Sequence, residues 1–399
     1  MGDGHRDGQR KFVSLFSGCG GLDLGFENSG FQCIGAFEAE PEVLSTHEHN
    51  LRVPVHQCDL STSSPPDGIF ADLVIAGPPC QGFSTAGKRD LNDPRNSLLL
   101  SAARIALQIR PAVFVLENVA GATAGEHRIF WDRVDAMLKN AGYQVVTLTC
   151  RAASLGLAQL RTRMVLIAWN TGKQCNLSLP TLAPRRLRDV LNGVEFAEDH
   201  KPKYLDSKSP LARIARRIKP GQKLCNVRLG ARAIHTWDIP EIFGAVSARE
   251  RQTLSAIAML RRRERTRDYG DADPVKGSSV RKALGREVVG ELQELVNKGY
   301  LRRIGHRFDL THTFNGKYRR LTWDDPAFTV DTRFGDPRYF LHPAEQRGFT
   351  VREAARVQGF PDHFKFLGSE RQQYRMIGNA VPPPMASCIA DLVRHRIFS

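Results

Sequence analysis

"KFVSLFSGCGGLDLGF" occupies positions 11–26. Its first six residues form a short apolar run of the kind that makes a buried strand. Gly18, Gly20 and Gly21 then turn the chain tightly, where the backbone can approach a ligand closely. The residues that follow open a helix. Strand, glycine turn and helix make up the first unit of a doubly wound α/β sheet. The dinucleotide fingerprint is incomplete, because Asp23 stands where its third glycine would be. A purely structural αβ turn would also want glycine.

Working outward, the same kind of run recurs. "QCIGAF" (32–37), "DLVIAG" (72–77), "AVFVLE" (112–117), "QVVTLT" (144–149) and "MVLIAW" (164–169) read as strands, and the pieces between them, such as 126–140, have helical spacing. This alternation predicts an α/β fold, a doubly wound sheet with helices on both faces. Ligands bind at the C-terminal ends of strands in such sheets, so the residues just after each run are the informative ones.

Glu38 ends the second run, and a carboxylate there can accept both hydroxyls of a ribose. Asp59, in "HQCDL", falls at the same edge and could accept from an adenine amino group. Each acid alone reads more simply as a solvated strand end. With the glycine turn they describe a pocket for a ribose and an adenine, and no Walker lysine marks a diphosphate site. The next run leads into "GPPCQGFS" (77–84), a stiffened loop that presents Cys80 as a candidate thiolate nucleophile; burial in the core is the plain alternative. Glu117 follows Val115 and Leu116, so it should be partly desolvated and able to hold a proton near neutrality, with Asn118 free to orient a loop. Arg161 and Arg163 alternate with Thr162. On an extended chain they point the same way and could brace the Cys80 loop, Glu117 and a substrate carbonyl.

Composition narrows the partners. The chain has 399 residues, 41% hydrophobic, and no run approaching ~20 apolar residues that would span a membrane. Residues 1–10 are polar, lack an apolar signal core and carry Arg6 where a myristoylation signal needs Ser or Thr. They are expected to be a disordered lead into a cytoplasmic protein. The eight cysteines form no CxxC pair and no Cys/His cluster of zinc-finger spacing, so neither disulfides nor a metal is expected. The net charge is +15, and residues 201–320 hold 28 Lys/Arg against 12 Asp/Glu, leaving 29 against 30 elsewhere. A near-neutral body beside one basic segment suggests a polyanion-binding module, with nucleic acid the obvious partner.

The strand pattern lapses near Asn170, and residues 171–240 read as irregular structure. Helices are expected at 248–263, 278–284 and 286–298, followed by "YLRRIGHRFDL" as two short strands around Gly305. Three helices and a β-ribbon resemble a winged helix-turn-helix; an ordinary α+β patch fits the pattern as well. Near residue 350 order returns, with a helix ending near Gly359 and a closing helix to about Ile397.

In chain order, "FSGCGGLDLGF", Glu38, Asp59, "GPPCQGFS", "ENV", "QLRTR", "TVREAARVQGFPD" and "GNAVPPPMA" resemble the DNA (cytosine-5)-methyltransferases of bacterial restriction-modification systems. The resemblance covers 11–170 and about 343–399. It implies a Rossmann-like catalytic domain at 11–170, a smaller α+β target-recognition domain at 171–342 and a return to the catalytic domain at 343–399. It implies S-adenosylmethionine as methyl donor. Phe16 would lie near the adenine, Glu38 on the ribose and Asp59 on the adenine amino group. Gly18, Gly20 and Gly21 would pass the methionine tail, Leu22 and Leu60 would complete the lining, and Pro79 and Asn379 would close the pocket. Cys80 would add to C6 of a flipped cytosine, assisted by Glu117, Arg163 and Arg161.

Double-stranded DNA would be the partner of a monomer, with a restriction endonuclease reading the same site. Within the recognition domain "LRRRERTRD" (260–268) and the helix at 286–298 are candidates for base reading, and 314–343 for lining the DNA cleft. Three rival readings remain: cytosine-5 methylation of RNA, a non-catalytic DNA-binding protein on this scaffold, and a Rossmann oxidoreductase, against which the missing glycine and the absent CxxC partner count.

Overall fold

The computed structural model describes residues 9–79, 94–227, 229–266, 273–311 and 317–399. They form two compact units. The first comprises the described residues up to His200 with Asp324–Thr332 and Val351–Ser399; the second comprises Lys201–Trp323 with Arg333–Thr350.

The first unit is built on a seven-stranded sheet. In chain order its elements are β1 (Lys11–Leu15), α1 (Gly21–Asn28), β2 (Gln32–Glu38), α2 (Pro41–Leu51), β3 (Val55–Gln57), β4 (Leu73–Ala76), α3 (Leu98–Ile109), β5 (Val113–Val119), α4 (Arg128–Asn140), β6 (Gln144–Arg151), the two-residue β7 (Gln159–Leu160) and β8 (Thr162–Trp169). The sheet order is β3-β2-β1-β4-β5-β8-β6. Strands β1 to β5 run parallel, while β8 is antiparallel to both β5 and β6. The expected α/β sheet is therefore present as a mixed one.

Side-chain alternation divides the core between the two faces. Phe12, Ile75, Val115 and Ile167 pack on one face against Leu22 and Phe26 of α1 and against Met385, Ile389 and Val393 of the closing helix Pro383–Val393. Val13, Val74, Phe114 and Leu166 pack on the other against α3 and against Trp131, Val134 and Leu138 of α4. The C-terminal segment thus completes a layer begun by the first helix. Gly25 allows that contact: a Cβ there would lie 2.3 Å from the Ala386 Cβ and 2.6 Å from the Pro383 carbonyl oxygen.

The second unit has smaller cores. One gathers Leu254, Ile257, Val280, Leu292, Leu295 and Leu310 from the helices Ala248–Arg263, Gly277–Leu284 and Val289–Asn297 and the strand Arg307–Leu310. The strands Val275–Lys276, Arg307–Leu310 and Leu301–Ile304 form an antiparallel sheet in that spatial order. The stretch expected to be irregular contains short elements, including the helix Pro210–Arg217, capped by the Ser209 hydroxyl. Arg320 is almost wholly buried and donates to the carbonyls of Ala215, Ile218, His342 and Glu345 at 2.6–2.9 Å. One guanidinium, with five N–H donors, does here what a regular backbone ladder does elsewhere. No helix among the described residues is long and apolar enough to cross a membrane.

Candidate active site

The site lies where the parallel strands end. Glu117 and Arg163 sit on the adjacent strands β5 and β8, where Glu117 is opposite Val165 and Val119 is opposite Arg163. Alternation puts Val115, Glu117, Arg163 and Val165 on one face of the sheet. Arg163 Nε approaches Glu117 Oε1 to 2.9 Å, and their side chains are 12% and 9% exposed. Burial pushes the Glu117 carboxyl above its usual range, while the Arg163 and Arg161 guanidiniums pull it back. Next along β5, Asn118 Nδ2 donates to the Pro78 carbonyl at 3.1 Å. It thereby ties the end of β5 to Pro78, two residues before Cys80 in the sequence. Cys80 lies outside the described residues, together with the rest of 80–93; Pro79 is the last described residue before it and is exposed.

The two arginines of "QLRTR" have different partners. Arg161 falls in the break between β7 and β8 and is 1% exposed. It donates to the carbonyls of Val330, Gly378 and Ala380 at 2.8–3.2 Å. Gly378 and Ala380 flank Asn379, so Arg161 holds the turn that presents this exposed residue. Gln358 reinforces the turn through the carbonyls of Ile377 and Ala380, both at 2.8 Å.

The glycine turn also has separable parts. Gly20 and Gly21 are buried, and a Cβ on Gly21 would lie 2.4 Å from the Val381 carbonyl oxygen. Gly20, at φ 89°, has Leu51 and His47 against it. Gly21 thus lets the turn pack against the C-terminal segment, and Gly20 lets it pack against α2. Gly18 differs: its φ is 55°, and a Cβ there would meet nothing within 4 Å. It is the glycine that borders open space. Its N–H donates to Glu38 Oε2 at 3.0 Å, and the N–H groups of Ala39 and Glu40 donate to Oε1 at 2.8 and 3.2 Å. Three bonds leave part of the carboxylate's acceptor capacity free. Burial, first among the causes, raises the Glu38 carboxyl from its ordinary value.

Asp59 is exposed at the same edge and held by the Ser61 N–H and hydroxyl, which lower its pKa. Phe16 is half-buried with φ 53°, while Leu22 and Leu60 are buried. Cys19, the other thiol of this region, is buried and its pKa is pushed up to about 12, which removes it as a nucleophile.

One feature of the turn escapes a reading of the sequence by motif. Asp23 is fully buried, 3.2 Å from His47 Nε2, which is also fully buried. The residue that breaks the dinucleotide fingerprint thus ties α1 to α2. The available signal is its place between Leu22 and Leu24 on a helix that has core on more than one side.

The chain is 29% identical to the Type II methyltransferase M.AgeI of Thalassovita gelatinovora, an alignment covering 97% of this chain and 100% of the relative. It is 30% identical to the Type II methyltransferase M.XorII of Xanthomonas oryzae pv. oryzae, covering 96% and 84%. The fold is similar to that of an Escherichia coli prophage protein described as a DNA modification methyltransferase, with TM-score 0.59, 22% identity and coverage of 98% and 100%. It is also similar to that of the S. pombe Dnmt2 methyltransferase, with TM-score 0.55, 15% identity and coverage of 97% and 98%. Residues 10–395 match the family described as C-5 cytosine-specific DNA methylase; the chain belongs to that family and is an S-adenosylmethionine-dependent DNA (cytosine-5)-methyltransferase.

Proposed function

We propose that Cys80, Glu117 and Arg163 carry the chemistry on a cytosine turned out of duplex DNA, and that Arg161 acts with them by holding the Asn379 turn. The observation that carries this reading is the buried Glu117–Arg163 pair at the end of β5, beside the Asn118 anchor on Pro78. Cytosine C5 is a poor nucleophile. Addition of the Cys80 thiolate to C6 breaks aromaticity and moves the C5–C6 π electrons to C5 as an enamine. Glu117, its carboxyl raised by burial, shares a proton with N3 and accepts from the exocyclic amine. Arg163 binds the base carbonyl and offsets charge. Once C5 carries the methyl group, its proton leaves to water or hydroxide and the C6–S bond breaks. C6 is inaccessible in a stacked duplex, so the base must be flipped.

S-adenosylmethionine supplies the electrophilic methyl group. The residues present fit it: Gly18 borders open space, Glu38 keeps acceptor capacity for ribose hydroxyls, and Asp59 is an exposed acceptor. Phe16, Gly20, Gly21, Leu22, Leu60, Pro79 and Asn379 complete the proposed pocket.

The target-recognition role falls to the basic segment, within the proposed domain 171–342. Three helices followed by a hairpin, with the strand Val275–Lys276 on the far side of Arg307–Leu310, support a winged helix-turn-helix there. Of the stretches considered for DNA contact, Arg267 and Asp268 and residues 314–316 lie outside the described residues. The likeness to Type II methyltransferases supports a host-protective role beside an endonuclease that reads the same site.

The test is methylation of a random-sequence duplex library by the purified chain with S-adenosylmethionine, read by bisulfite sequencing. Protected cytosines in one short context are expected. Methylation of an RNA library alone would overturn the reading.

A further inference from the structure

In a winged helix-turn-helix, the helix Val289–Asn297 is the one expected to enter a major groove. Its outward face is poorly suited to that. Val289, Gly290, Gln293, Glu294 and Asn297 are exposed, and none is cationic. Four neighbouring cations are already engaged. Arg249 and Arg286 pair with Glu291, which also accepts from the Thr253 hydroxyl at 2.7 Å. Lys298 holds Glu250 at 2.7 Å and lies 3.8 Å from Glu294, while Arg281 pairs with Glu287 at 2.9 Å. A phosphate arriving here would meet carboxylates, or would have to break an ion pair.

The hairpin of Leu301–Ile304 and Arg307–Leu310 is different. Ile304 pairs with Arg307, Arg302 with Asp309, and Lys276 with Arg307 across the other edge. Lys276, Arg302, Ile304 and Arg307 therefore share one face of the ribbon, while Arg303, opposite Phe308, leaves the other face next to the exposed tip. Asp309, the single acid of 301–310, is buried and taken up by Arg261 at 2.6 Å and Arg302 at 2.8 Å. Arg303 and Arg307 donate to the carbonyls of Gly305 and Pro274 at 3.0 and 3.1 Å, and among the described residues neither is paired with a carboxylate. Gly305, at φ 58°, opens a two-residue turn. The ribbon thus ends in an exposed tip that bears Ile304 and His306.

We propose that this hairpin, with Lys276 beside it, is the part of the second unit that grips the DNA backbone, Lys276, Arg303 and Arg307 meeting phosphates while the helix Val289–Asn297 stays off the duplex. The proposal rests on the reading that this unit holds DNA. Cations without carboxylate partners can neutralise phosphates without first breaking a pair, and each contact releases counterions.

The test is binding of the full chain to a random-sequence duplex across a salt series. R303Q/R307Q should make the slope of log K against log[salt] shallower by about 2, and weaken binding roughly 50-fold near 0.1 M salt. K276Q, which leaves both hairpin strands intact, should make it shallower by about 1. Q293A/N297A should leave slope and affinity unchanged. Circular dichroism would confirm that each variant is folded. Unchanged slopes in the hairpin and Lys276 variants, or equal weakening by Q293A/N297A, would overturn the proposal.

Replacing 245–310 with a relative's segment tests the parent reading separately. A changed methylated sequence together with unchanged hairpin slopes sinks only the hairpin. An unchanged methylated sequence sinks the parent reading.

Discussion

The two units hold their loops in place by different means. In the first, strands such as Leu73–Ala76 are buried on both faces, and loops emerge from a sheet flanked by two apolar layers. In the second, several loops hang on the buried Arg320, and the apolar clusters are small. Arg161 is the exception that brings the second device into the first unit. It sits where the sheet's order ends, under the turn that carries Asn379. A two-sided core gives rigidity that tolerates local loss. A guanidinium serving several carbonyls concentrates the burden on one side chain.

The sharpest way to separate chemistry from scaffold is Cys80→Ser. Methyl transfer should be abolished while DNA binding and the fold persist, as read by tritium incorporation and gel retardation. Loss of DNA binding in a folded variant would show that the residue belongs to the clamp. Next in size is Glu117→Ala, expected to lower kcat by about 10²–10⁴-fold, the usual range for a positioned proton donor. Burial raises this carboxyl, so the proton it shares is present below the raised value and is lost as pH rises through it. Activity should therefore decline on the alkaline side. Glu117→Gln, which keeps a donor without titrating, should flatten that decline. The native state also binds more protons than the unfolded one between the ordinary and the raised value, so the stability contributed by this group falls as pH rises through the same window.

The contrast between the units also sets what the sequence could reveal. Glu117 was legible because two-sided burial writes an unbroken apolar run, Val113 to Leu116, and the first polar residue after it must sit at the strand end. The hairpin around Gly305 was legible from its glycine and flanking strand residues. The partners of Arg161 were not. Alternation assumes a continuous strand, and the strand is interrupted between Leu160 and Thr162 at the position of Arg161. Arg320 and the Asp23–His47 pair were hidden for a related reason: a polar side chain that satisfies buried groups far along the chain leaves no period to read.

Arg161→Met tests the comparison at its exception. The substitution keeps apolar bulk and strands the carbonyls of Val330 and Gly378, each at a cost of about 1–3 kcal/mol where water cannot reach it, while Ala380 keeps its bond from Gln358. A lower thermal midpoint is expected, with a raised KM for S-adenosylmethionine exceeding any loss in kcat at saturating donor. Arg161→Lys should recover only part of this, because an ammonium lacks the planar fork. A variant with native KM and depressed kcat would instead place Arg161 at the base.

The smallest effect separates the glycines of the opening motif. Gly21→Ala drives a methyl group against the Val381 carbonyl oxygen, 2.4 Å from the ideal Cβ, and backbone must move to admit it. Its loss should register as stability. Gly18→Ala meets no atom within 4 Å, and its cost is that of a left-handed residue, φ 55°, at about 1 kcal/mol. The fold should survive. The added methyl group projects into the space proposed for the donor, so affinity for S-adenosylmethionine should fall by several-fold with the thermal midpoint nearly unchanged, as isothermal titration and a melting curve would show together. If Gly18→Ala lost stability but bound the donor normally, the whole glycine turn would be a packing device, and the donor would have to be held by Glu38 and Asp59 without close approach of the backbone.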